Sequence, residues 1–258
     1  MSDRRVTLVT GASQGIGRAL ALAFAGAGDD LVLVARNAAN LQDTAAAVEA
    51  LGAEALVLPT DITDPEAVEA MAQGAIAHFG VVDVLVNNSG IGGPSGPLWE
   101  VELEDWRDTF AVNVEGVFLV SKAILPSMID RRSGSVIVVG SITGKRPLWG
   151  RTPYASTKAA LIGLIRTLAL EAGRYGVRVN LISPGFVAGP RLDWVIASQA
   201  EGRGVSEDVV REEFEAESAL HRLTRPEDVA GTALFLASEE AAAITGADMN
   251  VNSGVVMY

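Results

Sequence analysis

Tyr154 and Lys158 stand four residues apart in a stretch, 153–165, that reads as the opening of a helix. Positions i and i+4 lie one above the other on the same helix face, which sets the Lys158 ammonium beside the Tyr154 phenol. A phenol, with an ordinary pKa of about 10, is a poor base at neutral pH. A positive charge about 4 Å away, at an effective dielectric of about 20, favours the phenolate by roughly 4 kcal/mol. That moves the group toward the neutral range, where general acid–base catalysis works best. Ser141 lies upstream, just after the apolar run 136–139, and is suited to polarising a carbonyl oxygen. A Tyr and a Lys at this spacing occur by chance in many helices, so the surrounding elements decide what the pair is for.

Those elements alternate. The apolar, β-branched runs 5–9, 31–35, 55–59, 82–87, 135–139, 177–182 and 248–251 predict strands. The longer amphipathic stretches 15–27, 38–51, 65–79, 103–130, 152–175 and 226–236 predict helices between them. Short strands alternating with helices imply βαβ units and a parallel sheet. Thr63-Asp64-Pro65-Glu66 supplies an N-cap with Pro near the first turn, and Glu227 and Asp228 follow Pro226 at another helix start. The fold class expected is α/β: one doubly wound, Rossmann-type parallel sheet of about seven strands with helices on both faces. No repeat or linker divides the chain, so residues 1–258 are read as a single domain. The stretch 184–223 is irregular, charged and punctuated by Gly202 and Gly204; its part from about 189 to 223 is read as a helical substrate lid.

The turn after the first strand is Thr10-Gly11-Ala12-Ser13-Gln14-Gly15-Ile16-Gly17. Glycines admit positive φ and close approach of a phosphate, and the helix N-terminus behind them offers free N–H groups and a partial positive charge. The Gly-x-x-x-Gly-x-Gly spacing differs from the commoner G-x-G-x-x-G dinucleotide fingerprint, but its strand–turn–helix context makes it a phosphate site. An acidic residue at the end of the second strand would bind the adenosine ribose and repel a 2′-phosphate. This chain has Arg36 there, and a guanidinium pairs bidentately with phosphate, which favours NADP(H) over NAD(H). A solvent-exposed Arg at a strand end is the plain alternative.

Composition narrows the field. With 258 residues, 49% of them hydrophobic and 5% aromatic, the core is aliphatic. The absence of cysteine excludes disulfides and thiolate chemistry. Two histidines far apart, His78 and His221, argue against a zinc site or a Ser-His-Asp triad, and no metal is expected. A net charge of −12 argues against nucleic acid as a partner. No signal pattern precedes the first strand and no uninterrupted apolar run approaches a membrane span, so a cytoplasmic protein with no membrane partner is expected.

The chain resembles the short-chain dehydrogenase/reductase family, most nearly its 3-oxoacyl reductase-like branch. The motifs that carry the resemblance are 10–17, Asp61-Ile62, Asn87-Asn88-Ser89-Gly90, Asn113, Ser141, Tyr154-Ala155-Ser156-Thr157-Lys158, Asn180 and Pro184-Gly185, and together they cover nearly all of it. The resemblance implies roles. Gly11, Ser13, Gln14, Gly15, Ile16 and Gly17 would cradle the cofactor phosphates, and Asp61 and Ile62 would hold the adenine. Asn88 and Gly90 would line the cofactor cleft. Lys158 would grip the nicotinamide ribose and lower the pKa of Tyr154, Asn113 would hold a relay water, and Val187, following Pro184 and Gly185, would meet the nicotinamide carboxamide. Tyr154 would exchange a proton with a carbonyl or alcohol oxygen held between it and Ser141. Two positions depart from the family pattern: Ser89 replaces an Ala, and Gly189 stands where many relatives carry a Thr that holds the carboxamide or pyrophosphate.

The resemblance therefore implies an NADP(H)-dependent oxidoreductase of carbonyls and secondary alcohols. An NAD(H)-dependent alcohol or sugar dehydrogenase is the alternative, and a non-catalytic NADP-binding regulator a more distant one. Sugar-nucleotide epimerases and dehydratases use the same Tyr/Lys pair but carry a larger C-terminal region than this chain has. Helices 103–130 and 152–175 and the apolar ending 254–258 imply a homotetramer, with a dimer as the fallback. Trp149 and Trp194 are read either as walls of the substrate pocket or as buried core. Arg191 is read as a surface charge on the lid, with contact to an acidic substrate group as the alternative. Glu212, Glu213, Glu215 and Glu217 read as a solvated helix face.

Overall fold

The computed structural model describes residues 4–258, apart from the side chain of Ser198. The first three residues, part of the segment read for a targeting pattern, lie outside the described residues. Seven strands form one sheet: β1 (Val6–Thr10), β2 (Asp30–Ala35), β3 (Ala55–Pro59), β4 (Val84–Asn87), β5 (Gly134–Val139), β6 (Val177–Pro184) and β7 (Asp248–Val251). All pair in parallel, in the order β3-β2-β1-β4-β5-β6-β7. Every residue of the central strands β1 and β4 is buried, as expected of Val/Leu-rich strands covered on both faces.

The helices lie in two layers. Helices α1 (Gly15–Gly26), α2 (Ala38–Glu49) and α9 (Pro226–Ala237) cover one face through Leu20, Phe24, Leu41 and Val229. Helices α3 (Pro65–Phe79), α5 (Gly116–Arg131) and α6 (Thr152–Gly173) cover the other through Met71, Ile124, Met128, Leu161 and Ile165. The cap expected at 63–66 forms on Asp64, its carboxylate accepting from the N–H groups of Glu66 (2.9 Å) and Ala67 (3.3 Å). Asp228 closes the start of α9 by accepting from the Arg225 N–H at 2.9 Å.

The strand order reverses at the β1–β4 boundary: from β1 the chain builds outward through β2 and β3, then crosses to β4 and builds the other way. The C-terminal ends of β1 and β4 therefore open onto a crevice, the place where open α/β sheets bind ligands.

Three details refine the expected elements. The stretch 103–130 is not one regular helix: α4 (Leu103–Phe110) and α5 are joined by a π-helical turn, Ala111–Glu115, which carries Asn113. The irregular stretch holds two helices, α7 (Pro190–Arg203) and α8 (Glu207–Ala216), packed around their own cluster of Leu192, Ile196, Ala200, Val210 and Leu223. Gly204 ends α7 in a left-handed cap, whereas Gly202 lies within the helix. Finally, the helical stretch Leu103–Arg131 is long enough to span a bilayer and contains an 18-residue window with a mean hydropathy of 1.4. Charged residues such as Glu115 and Lys122 interrupt that stretch, and its residues Val117, Val120, Ile124 and Met128 are committed to the sheet core.

Candidate active site

The glycine-rich turn sits at the C-terminal end of β1. The Cβ of any residue at position 17 would overlap the Gly11 carbonyl oxygen and come within 2.6 Å of the Asn88 amide nitrogen. The start of α1 thus presses directly on the turn, leaving backbone rather than side chains at the helix entrance. Gln14 precedes α1 without a side-chain cap, so the first N–H groups of that helix keep no side-chain acceptor of their own. Asn88 braces the turn from β4, donating to the carbonyls of Thr10 (3.0 Å) and Gly11 (3.3 Å). The Thr10 hydroxyl in return accepts from the N–H groups of Asn88 and Ser89. A cradle of glycine backbone at a helix N-terminus, in the crevice of a doubly wound sheet, fits a dinucleotide phosphate.

Arg36 is exposed at the end of β2, as expected, and its charge reaches Asp61. Asp61 is held below the usual carboxylate range mainly by hydrogen bonds from the Thr63 N–H and hydroxyl. Its neighbour Ile62 is buried, with its side chain packed on Gly116 of α5. An adenine contact expected at this position would therefore fall to its backbone.

Asn113 is fully buried in the π-helical turn. Its amide clamps the segment after β4, accepting from the Ile91 N–H (2.8 Å) and donating to the Ile91 carbonyl (3.0 Å). It also donates to the Thr157 hydroxyl, one residue before Lys158. Local widening to a π turn is a recurrent feature of functional sites; here it brings an α4–α5 side chain to α6.

Lys158 is 5% exposed, and its ammonium donates to the Val139 carbonyl (3.1 Å) at the end of β5. Its nitrogen lies 5.6 Å from the Tyr154 ring centre, on the shared helix face. Ser141 follows β5 directly, caps the short turn Ile142–Gly144, and hydrogen-bonds the Tyr154 phenol. Burial by itself raises the phenol pKa. The charges of Lys158 and Arg191, the Ser141 hydrogen bond and the charge of Arg151 outweigh it and leave Tyr154 below the ordinary tyrosine value. Burial lowers the Lys158 pKa, Tyr154 opposes that, and Arg191 adds to it.

Arg191 was expected to be a surface charge. It is exposed, but its guanidinium carbon stands 5.4 Å from the Tyr154 ring centre. Arg151, not singled out from sequence, stands at the same 5.4 Å. Its one sequence signal is its place three residues before Tyr154, in the turn that opens α6. Trp149 and Trp194 are 80% and 71% exposed, which excludes the reading that they fill the core.

The segment after β6 supplies the last expected contacts. Gly185 lies against Asn252, where a Cβ would come within 2.7 Å of the Asn252 Cβ. Val187 bridges Thr224, and the Ala188 N–H donates to the Thr224 carbonyl at 2.8 Å. Gly189 adopts φ +140°, a conformation reserved for glycine, which explains why no Thr stands there. Asn180 is a brace rather than a site residue: it accepts from the Ala247 N–H and donates to the Ile244 carbonyl.

Comparisons with known proteins agree with this arrangement. Residues 11–256 match the family model described as enoyl-(acyl carrier protein) reductase. The chain is 36% identical over 255 residues to the 3-oxoacyl-(acyl-carrier-protein) reductase FabG of Escherichia coli, covering 99% of this chain and 98% of that protein. An actinorhodin polyketide ketoreductase variant solved with NADPH superposes with a TM-score of 0.95 at 32% identity, covering 99% of this chain and 98% of that one. An NAD+-bound xylitol dehydrogenase superposes with a TM-score of 0.92 at 30% identity, covering 97% and 98%. The chain belongs to the short-chain dehydrogenase/reductase family, in its 3-oxoacyl reductase-like branch, and is an oxidoreductase of carbonyl and alcohol groups.

Proposed function

We propose that the protein transfers hydride between NADP(H) and a carbonyl or secondary-alcohol substrate, with Tyr154 as general acid and base. The observation that carries this reading is the buried Lys158 ammonium beside the Tyr154 ring, at the sheet edge that also bears Ser141 and the glycine turn. The bound nicotinamide supplies or accepts the hydride at the substrate carbon. In reduction, Tyr154 gives its proton to the substrate oxygen; in oxidation, its phenolate takes the proton from the alcohol. Ser141 orients that oxygen, and Lys158 holds the phenolate stable through its charge. Asn113 fixes the backbone at Ile91 and the hydroxyl beside Lys158, and so supports the path by which Tyr154 regains its proton.

In this reading Gly11, Ser13, Gln14, Gly15, Ile16 and Gly17 hold the pyrophosphate, Arg36 a 2′-phosphate, and Asp61 with the Ile62 backbone the adenine. Asn88, Gly90, Pro184, Gly185 and Val187 line the nicotinamide half with Tyr154 and Lys158. The 189–223 segment covers the substrate. Use of NAD(H) is the second reading, favoured by the likeness to an NAD+-bound dehydrogenase. A cytoplasmic homotetramer is part of the proposal. Phe118 and Leu170, on the outer faces of α5 and α6, and the terminal Met257 and Tyr258 leave large apolar side chains exposed, which a subunit contact would cover.

The test is nicotinamide absorbance with a panel of ketones, 3-oxoacyl thioesters, sugars and secondary alcohols. Turnover at least about tenfold more efficient with NADPH than NADH, reversed by Arg36→Asp, is the expected result. Turnover with NADH alone would remove the role given to Arg36, and cofactor binding without any turnover would favour a regulator.

A further inference from the structure

Two guanidiniums and one ammonium surround the Tyr154 ring, yet the reaction uses only the ammonium. The other two charges converge. A Cβ built on Gly92 would meet Nη2 of Arg191 at 2.6 Å and Nη2 of Arg151 at 2.8 Å, so both nitrogens crowd a single point over the Gly92 backbone. Arg151 spends that nitrogen on the Gly92 carbonyl, at 2.7 Å. The Arg191 guanidinium has no ion pair or hydrogen bond among the described residues. The nearest acidic residue on its own helix, Asp193, is taken by Arg211 at 2.8 Å.

Other arginines among the described residues also make no salt bridge to a carboxylate, Arg36 and Arg166 for example; what sets Arg151 and Arg191 apart is that their guanidiniums converge on one point beside the Tyr154 ring. Burial disfavours the charge of Arg151, and the neighbouring Arg191 guanidinium adds to this. An anion placed between them offsets this. A planar carboxylate matches the fork of a guanidinium better than any neutral group does. Gly92 contributes by having no side chain: it leaves the two guanidiniums room to meet.

We propose that Arg151 and Arg191 form an anion clamp that selects substrates carrying a carboxylate close to the reacting carbonyl or alcohol, that is, oxo acids and their hydroxy-acid products. This deepens the oxidoreductase reading and rests on it. Arg191 comes from the first turn of α7 and Arg151 from the turn before α6, so the clamp spans the 189–223 segment and the catalytic helix. An acid bound there draws the two together over Tyr154.

The test uses the full-length protein, preloaded with whichever of NADP+ or NAD+ binds it more tightly. It is titrated calorimetrically with 2-oxobutanoate, 3-oxobutanoate and 4-oxopentanoate and with their methyl esters; turnover of each is followed in parallel. At least one acid is expected to bind about tenfold or more tightly than its ester, as charge-assisted hydrogen bonds imply. The advantage should shrink as salt is raised and disappear in Arg191→Gln. That variant removes no side-chain hydrogen bond among the described residues, and an unchanged melting temperature checks it. Arg151→Lys, which keeps the charge but loses the fork, should fall between. Equal affinity for every acid and ester overturns the clamp, as does a preference that survives Arg191→Gln. A loss of cofactor affinity in Arg191→Gln as large as the loss of acid affinity overturns it too, since the arginines would then serve the cofactor phosphates. Absence of turnover with both cofactors counts against the oxidoreductase reading alone, because the acid-over-ester ratio is read from binding.

Discussion

At Tyr154 the balance of forces is unusual enough to be measured. Burial pushes the phenol up, and three cations and a hydroxyl pull it down further. Tyr154→Phe removes the proton donor while leaving the ring that packs beside Lys158. Turnover should fall by about a thousandfold, the range typical of general acid–base catalysis, with cofactor affinity retained by fluorescence titration. The sign of the pH dependence follows from the lowered pKa. Alcohol oxidation needs the phenolate, so kcat/KM should rise with pH through a midpoint below the ordinary tyrosine value of about 10. Arg191→Gln withdraws one of the charges that favour the phenolate, so the midpoint should move to higher pH; a midpoint that moves down or stays would contradict this electrostatic account. The Tyr154–Lys158 pair was legible in sequence because helical spacing is local. The arginines were not. Arg151 and Arg191 lie forty positions apart, and only the packing of two segments over Gly92 brings them to one ring.

The strands and most helices were legible for the same local reason: apolar runs and caps such as Asp64 report on their own neighbourhood. The π-helical turn at Ala111–Glu115 was not, since it reconciles the helix with the tertiary demand that Asn113 reach Ile91. The helical character of the 189–223 segment was expected, but the bounds of its two helices were not: Arg203–Glu213 and Arg211–Asp193 tie them together outside their small core, and charged, weakly periodic sequence marks no helix ends. Glu213 and Glu217 are thus not merely solvated, the latter pairing with Arg146. Gly189 is the hinge on which this segment leaves the sheet. Gly189→Ala forces a side chain into φ +140° and should cost about 1–3 kcal/mol locally. Limited proteolysis should then cut within 189–223 faster than in the parent protein, while the sheet's amide exchange is unchanged.

Assembly is the question at the scale of the whole molecule. Leu170 is 82% exposed on α6, and Phe118 lies half open on α5. If these faces meet in a homotetramer, light scattering should give about four times the 26.9 kDa chain mass, and Leu170→Glu should reduce it. A monomeric parent protein would remove the subunit contact from the proposal. The topology behind all of this was readable early because seven alternating units leave few ways to wind a parallel sheet; the surface that meets a partner was readable only as apolar residues with nowhere to go.

The bridge between Val187 and Thr224 has one more consequence. It fastens the two ends of an excursion of the chain, with its own small core, to the rim of the sheet. Such a segment can be exchanged in one recombination event. Arg191 would travel with the exchanged piece and Arg151 would stay behind, so a lineage could gain or lose its taste for acids in a single genetic step while inheriting the redox machinery intact.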